Sequence, residues 1–189
     1  MSLPSKRKLT ETSKYISLLL RHKPEEANIV LDEHGWTYTK ILIEKVNPKY
    51  TLNMKILEHI MFNMDKQRLE FNEDKTKIRA IHGHSIQVDA EYTELEPPDE
   101  LYHGTVEKFT EAIDKEGLKK MERNYVHLSD NINMASSVGK RRENKQNGKL
   151  VIYKINSKDM FKDGFKFYKS NSGVWLVDNV PVKYLEKWN

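Results

Sequence analysis

No cysteine occurs among the 189 residues. That absence excludes a disulfide framework, a thiolate metal site and thiol catalysis. Long apolar runs are missing too: nothing approaches the roughly 20 residues a membrane helix needs, so no membrane partner is expected. The opening MSLPSKRKLT is basic and lacks the apolar segment of a secretory leader, so a cytoplasmic address is expected. Catalytic signatures are equally sparse. The chain has no G-x-S-x-G elbow for a serine nucleophile, no G-x-G-x-x-G dinucleotide fingerprint and no phosphate-loop pattern. His22, His84, His103 and His127 are scattered without ligand spacing, and no metal is expected.

What the chain does carry is charge. Lys and Arg number 32 against 28 Asp and Glu, for a formal +4, while 38% of residues are hydrophobic. That balance describes a folded, rather polar protein and suits a polyanionic partner without demanding one. The acidic stretch EYTELEPPDE (91–100) contains Pro97 and Pro98. Adjacent prolines end helices and central strands, so the stretch reads as a linker between lobes at 1–90 and 101–189.

In the first lobe, apolar spacing predicts a helix near 9–22, a turn at Gly35, a helical TKILIEKV and a stronger helix over 52–63. The period then switches to two in RLEFNEDKTKIRAIHG, which predicts two strands around the turn NEDK. In that hairpin Arg68 and Arg79 are expected to face outward. Helices followed by a hairpin suggest a winged-helix-like module. The second lobe reads as α+β on a predominantly antiparallel sheet. LYHGT, YVHLS, KLVIYKI, FKFYK and GVWLV are its strands. VEKFTEAIDKEGL, stopped at Gly117, and NINMASSVGKRR are helices, and VKYLEKW (182–188) is read as a terminal helix.

The stretch SLLLRHKPEE (17–26) poses the chemical question. An apolar helical stripe ends in Arg21, His22 and Lys23, and Pro24 stops the helix. A helix C-terminus favours cations by roughly 0.3–1 kcal/mol, which accounts for one basic residue more easily than three. GHS (83–85), HGT (103–105) and VHLS (126–129) add histidines and hydroxyls but no obvious general base. Such a set suits binding of phosphate, because guanidinium forks take phosphate oxygens bidentately.

Taken in order, SKYISLLLRHKP, GW, DKQRLEF, GHS, LYHGT, MERNYVHLS, VGKR and SNSGVWL closely resemble the NAD-dependent RNA 2′-phosphotransferases, from about Ser13 to Trp188. The resemblance implies an N-terminal winged-helix RNA-binding lobe and a C-terminal ADP-ribosyltransferase-like lobe that binds NAD. It implies a reaction in which an internal RNA 2′-phosphate attacks the nicotinamide-bearing ribose carbon of NAD. The ADP-ribosylated 2′-phospho-RNA then yields 2′-hydroxyl RNA and ADP-ribose 1″,2″-cyclic phosphate, as in the last step of tRNA splicing. NAD is consumed as a co-substrate, the other partner is RNA bearing a 2′-phosphate, and a monomer is expected.

By the same resemblance the catalytic set is Arg21, His22, Arg68 and Arg123, with Lys66 as a secondary phosphate contact. NAD contacts are expected from His103, Gly104, Thr105, His127, Leu128, Ser129, Gly139 and Arg141. Many protein ADP-ribosyltransferases use a glutamate near the late strands, and GVWLVDN (173–179) offers none. Many relatives continue VGxR with His-Gly, whereas Arg142 and Glu143 follow here. Two other readings stay open: ADP-ribosylation of terminal phosphates on RNA or DNA, and a non-catalytic nucleic-acid binder.

Overall fold

The computed structural model describes residues 3–63, 67–146 and 148–188, with backbone alone at 144–146. The chain divides into two compact units, Met1–Glu91 and Tyr92–Asn189. Lys66, expected at the site, lies outside the described residues.

Helix α1 (Lys6–Arg21) buries Ile16, Leu19 and Leu20 completely, as the three-and-four spacing requires. Strand β1 (Thr37–Tyr38) leads into α2 (Thr39–Val46), and α3 (Met54–Asn63) follows. The hairpin β2 (Leu69–Phe71) and β3 (Lys77–Ala80) then joins β1 in an antiparallel sheet of order β1-β3-β2. Leu42, Leu57 and Ile78 meet the α1 stripe in one apolar core. Truncating a fully buried leucine such as Leu20 to alanine costs about 2–5 kcal/mol.

The second unit starts within the acidic stretch, where β4 (Thr93–Glu94) pairs with a later strand instead of crossing as open linker. Strand β5 (Glu100–Val106), α4 (Thr110–Glu116), β6 (Leu118–Lys119) and β7 (Val126–Leu128) come next. Gly117, at φ +80°, ends α4 as expected. Helix α5 (Ile132–Gln146), β8 (Leu150–Asn156), α6 (Ser157–Lys162), β9 (Phe167–Lys169), β10 (Trp175–Val177), β11 (Asn179–Val180) and β12 (Leu185–Trp188) complete it. The sheets run β4-β9-β10-β7, β11-β6 and β12-β8-β5. Each pairing within them is antiparallel, so the chain is α+β.

Two expectations are corrected. VKYLEKW is not a helix: a 3-10 turn at Val182–Tyr184 runs into β12, whose residues pair with β8 from Leu185↔Ile155 to Trp188↔Ile152. The three-residue spacing of Val182, Leu185 and Trp188 fits a helix, but an unpaired edge of β8 supplies backbone partners that a terminal helix would leave unmet. Arg79 does not face solvent. It is 8% exposed, stacks on Trp36 at 4.3 Å and pairs with Glu70 at 2.7 Å.

Helix α5 lies almost backbone to backbone on β5. A Cβ on Gly104 would stand 1.9 Å from the Ala135 carbonyl oxygen, and one on Gly139 would stand 2.2 Å from Leu150 Cδ1. What approaches Gly104 is therefore the helix itself. Gly104→Ala is expected to destabilise the protein by about 2–4 kcal/mol in urea unfolding, because backbone must move. Gly164 has nothing within 4 Å of its would-be Cβ, so Gly164→Ala is expected to cost only its left-handed backbone strain, about 1 kcal/mol. Equal losses for the two variants would contradict this packing.

Candidate functional site

In the first unit the end of α1 is held by the chain that carries GHS. The last carbonyls of a helix lack intrahelical donors, and here the Arg21 carbonyl accepts from the N–H of Ser85 at 3.0 Å. The adjacent His22 places Nδ1 2.9 Å from Ser85 Oγ, so this serine supports both residues. Arg21 Nη2 donates to the Arg68 carbonyl at 3.2 Å, and Arg68 Nη1 to Ser13 Oγ at 3.4 Å. Arg21, His22 and Arg68 thus form one cluster, each partly accessible. Lys23 does not belong to it: exposed, it pairs with Glu26 at 2.9 Å.

His84 lies behind that cluster, 2% exposed. Burial, and then the charges of Arg21, His22 and Arg79, lower its pKa to about 4. It is therefore a neutral imidazole among cations at neutral pH.

The second unit repeats the theme. His103 Nδ1 stands 3.0 Å from the His127 carbonyl, and His127 Nδ1 stands 3.0 Å from the Tyr125 carbonyl. A carbonyl only accepts, so Nδ1 carries the proton in both rings. Desolvation lowers His103 to about 4 despite the His127 hydrogen bond, with further lowering from Arg142 and Arg123. Arg123 follows a turn in which its N–H donates to the Lys120 carbonyl at 3.0 Å. Desolvation first and the Arg142 charge second reduce its proton affinity.

The other expected contacts divide by exposure. Thr105 is wholly buried, Leu128 is 2% exposed, and Gly139 is buried on the face of α5 that meets β5. Ser129 Oγ bonds with the backbone of Asn131, whose Oδ1 in turn receives the N–H groups of Asn133 and Met134 at the start of α5. Arg141 is exposed and donates through Nε to the Ser137 carbonyl of its own helix. The guanidinium over β5 belongs instead to Arg142, with Nη1 3.5 Å from Thr105 Oγ1.

Arg142 was not among the expected site residues. Its signal was legible as spacing: it follows Ala135 and Gly139 by seven and three positions, on the helix face that meets β5. Ser85 was visible only as the third residue of GHS.

Residues 6–179 match the family described as RNA 2'-phosphotransferase, Tpt1 / KptA. A protein of Flavobacterium johnsoniae named "Probable RNA 2'-phosphotransferase" is 51% identical over 175 residues, 92% of this chain and 93% of its own. Proteins of the same name from Fusobacterium nucleatum and Trichormus variabilis are 49% identical over 174 residues and 44% over 178. Those matches cover 92% and 94% of this chain, and 95% of each relative. The chain belongs to the RNA 2′-phosphotransferase family.

The two neutral histidines set a pH dependence. Both titrate below the 6.5 of a free histidine, so the unfolded chain binds more protons between about pH 4 and 6.5. Stability is full above pH 6.5 and falls as pH drops toward 4, by up to about 3 kcal/mol for each histidine. Urea midpoints between pH 7 and 4.5 should decline for the wild type and decline less steeply for His84→Gln. Parallel curves would contradict burial of a neutral His84.

Proposed function

We propose that this protein removes an internal 2′-phosphate from RNA by transferring it to NAD, through an ADP-ribosylated 2′-phospho-RNA. The observation that carries the reading, in a chain of this family, is the pair Arg123 and Arg142. Neither guanidinium has a carboxylate partner among the described residues, and both act on the neutral His103. Cations left without carboxylates beside an uncharged imidazole fit a phosphate-rich co-substrate such as NAD.

In the first step an oxygen of the 2′-phosphate forms a bond to the ribose carbon as the bond to nicotinamide breaks. A phosphate is already anionic, so orientation and charge neutralisation matter more than a general base. In the second step the ribose O2″ attacks phosphorus and loses its proton, while the RNA 2′-oxygen leaves and takes one up. Products are 2′-hydroxyl RNA, nicotinamide and ADP-ribose 1″,2″-cyclic phosphate.

Arg21 and His22 bind the RNA 2′-phosphate in this reading. Ser85 orients His22 through Nδ1, and Nε2 is assigned to the phosphate. Arg68 and Arg123 neutralise charge developing at phosphorus. His103, Gly104, Thr105, His127, Leu128, Ser129, Gly139 and Arg141 belong to the NAD-binding unit, some as contacts and the buried ones as support. No metal takes part.

Three helices and a three-stranded hairpin sheet support a winged-helix reading of the first unit. Small antiparallel sheets flanked by helices support an ADP-ribosyltransferase-like second unit. The protein is further assigned to the cytoplasm, as a monomer acting on tRNA-splicing-type substrates.

A labelled 2′-phosphorylated oligonucleotide incubated with NAD tests the proposal. The expected products are a 2′-hydroxyl oligonucleotide and the cyclic phosphate of ADP-ribose; a stable ADP-ribosylated RNA as sole product would overturn it. Arg68→Ala and Arg123→Ala should each slow turnover by about 10²–10³. Ser85→Ala, which removes one orienting hydrogen bond, should slow it about tenfold. Full turnover in either arginine variant would remove that residue from the mechanism.

A further inference from the structure

The dipeptide Arg142-Glu143 acquires a physical meaning in α5. Ala135, Gly139 and Arg142 share the face that lies on β5, and the crossing at Gly104 leaves no room for that face to rotate away. Arg142 is consequently delivered to Thr105, with Nη1 3.5 Å from its hydroxyl. At that distance the contact is weak and does not satisfy the guanidinium, which has five N–H donors. The adjacent Glu143 forms no ion pair with it among the described residues; its Oε1 accepts from the Leu150 N–H at 3.4 Å, at the start of β8. Arg141 is turned along its own helix toward the Ser137 carbonyl. After desolvation, the Arg142 charge further lowers the proton affinity of Arg123.

Like charges placed together without a counter-charge cost stability in the free protein. A bound anion recovers that cost. The alternative, a structural arginine, has a visible example in the same chain: Arg79 is buried, paired with Glu70 and Glu91, bonded to the His34 carbonyl and stacked on Trp36. Among the described residues Arg142 has none of these.

We propose that Arg142 is an anion-binding residue that, together with Arg123, seats a phosphate group above β5. The ligand chemistry is a phosphate oxyanion, supplied by the diphosphate of NAD or by the RNA 2′-phosphate. The inference rests on the functional reading above and adds a residue to it.

The test uses the full chain and compares wild type, Arg142→Gln, Arg142→Lys and Lys140→Gln. The last removes one exposed positive charge from the same helix and serves as the charge control. Each protein is titrated with NAD, and separately with a 2′-phosphorylated oligonucleotide and its unphosphorylated counterpart. Arg142→Gln should weaken binding of NAD, or the preference for the 2′-phosphorylated oligonucleotide, about tenfold or more. Whichever probe responds identifies the source of the phosphate. Arg142→Lys, which keeps the charge and loses the fork, should recover part of the loss.

A second readout has the opposite sign. Without ligand, Arg142→Gln should raise the thermal midpoint by about 1–3 °C, because Arg123 loses a repulsive neighbour. Losses no larger than those of Lys140→Gln would overturn the inference, as would a lowered midpoint with unchanged affinities. If the wild type binds neither NAD nor the phosphorylated oligonucleotide, the functional reading fails and this inference with it.

Discussion

The near contact of two backbones, α5 over β5, is the constraint on which the second unit depends. At Gly104 the space of a Cβ is filled by a carbonyl of the helix, and at Gly139 by a side chain from β8. Side chains that would hold the elements apart are missing from both. With the separation fixed, the rotation of the helix is fixed as well. His103 and Thr105 on the strand and Arg142 on the helix then have one arrangement available to them. Gly104 thereby serves the site through packing.

Arginine has two fates in this protein, and they separate structure from chemistry. Arg79 lies buried, paired with Glu70 and with the exposed Glu91, and acts as a structural tie for the hairpin. Breaking such a buried pair typically costs about 3–5 kcal/mol. Arg123 and Arg142 lack that compensation among the described residues, and their charges reach His103. In the first unit, Arg21 and Arg68 are positioned through backbone carbonyl and serine contacts. Each unit also keeps one histidine uncharged beside its arginines. A neutral ring can sit close to guanidinium groups where another cation would be expelled, and it preserves the space for an anion.

Much of this was legible in the sequence because it depends on local rules. The stripe Ile16, Leu19, Leu20 gave α1, the switch to alternation at Leu69 gave the hairpin, and Gly117 ended α4. What failed depended on distant partners. Val182, Leu185 and Trp188 have helical spacing, yet the open edge of β8 makes that segment a strand. Arg79 occupies an outward position by alternation, yet Trp36 and Glu70 cover it. At the site, Arg21, His22, Arg68 and Arg123 came from motif resemblance, and the first three share a cluster. Arg142 was seen first as a departure from the family's pattern, and only the glycine crossing gives it a direction. The support that Ser85 lends to His22 spans 63 residues and has no local signature.

In the proposed reaction one NAD is consumed for each phosphate removed. The most direct measurement is therefore stoichiometric: nicotinamide released from NAD, counted against 2′-phosphate lost from RNA, in the same reaction. The account predicts a one-to-one ratio, with no nicotinamide release when the RNA carries a 2′-hydroxyl. Loss of the 2′-phosphate without NAD, or nicotinamide release without a 2′-phosphate, would contradict it.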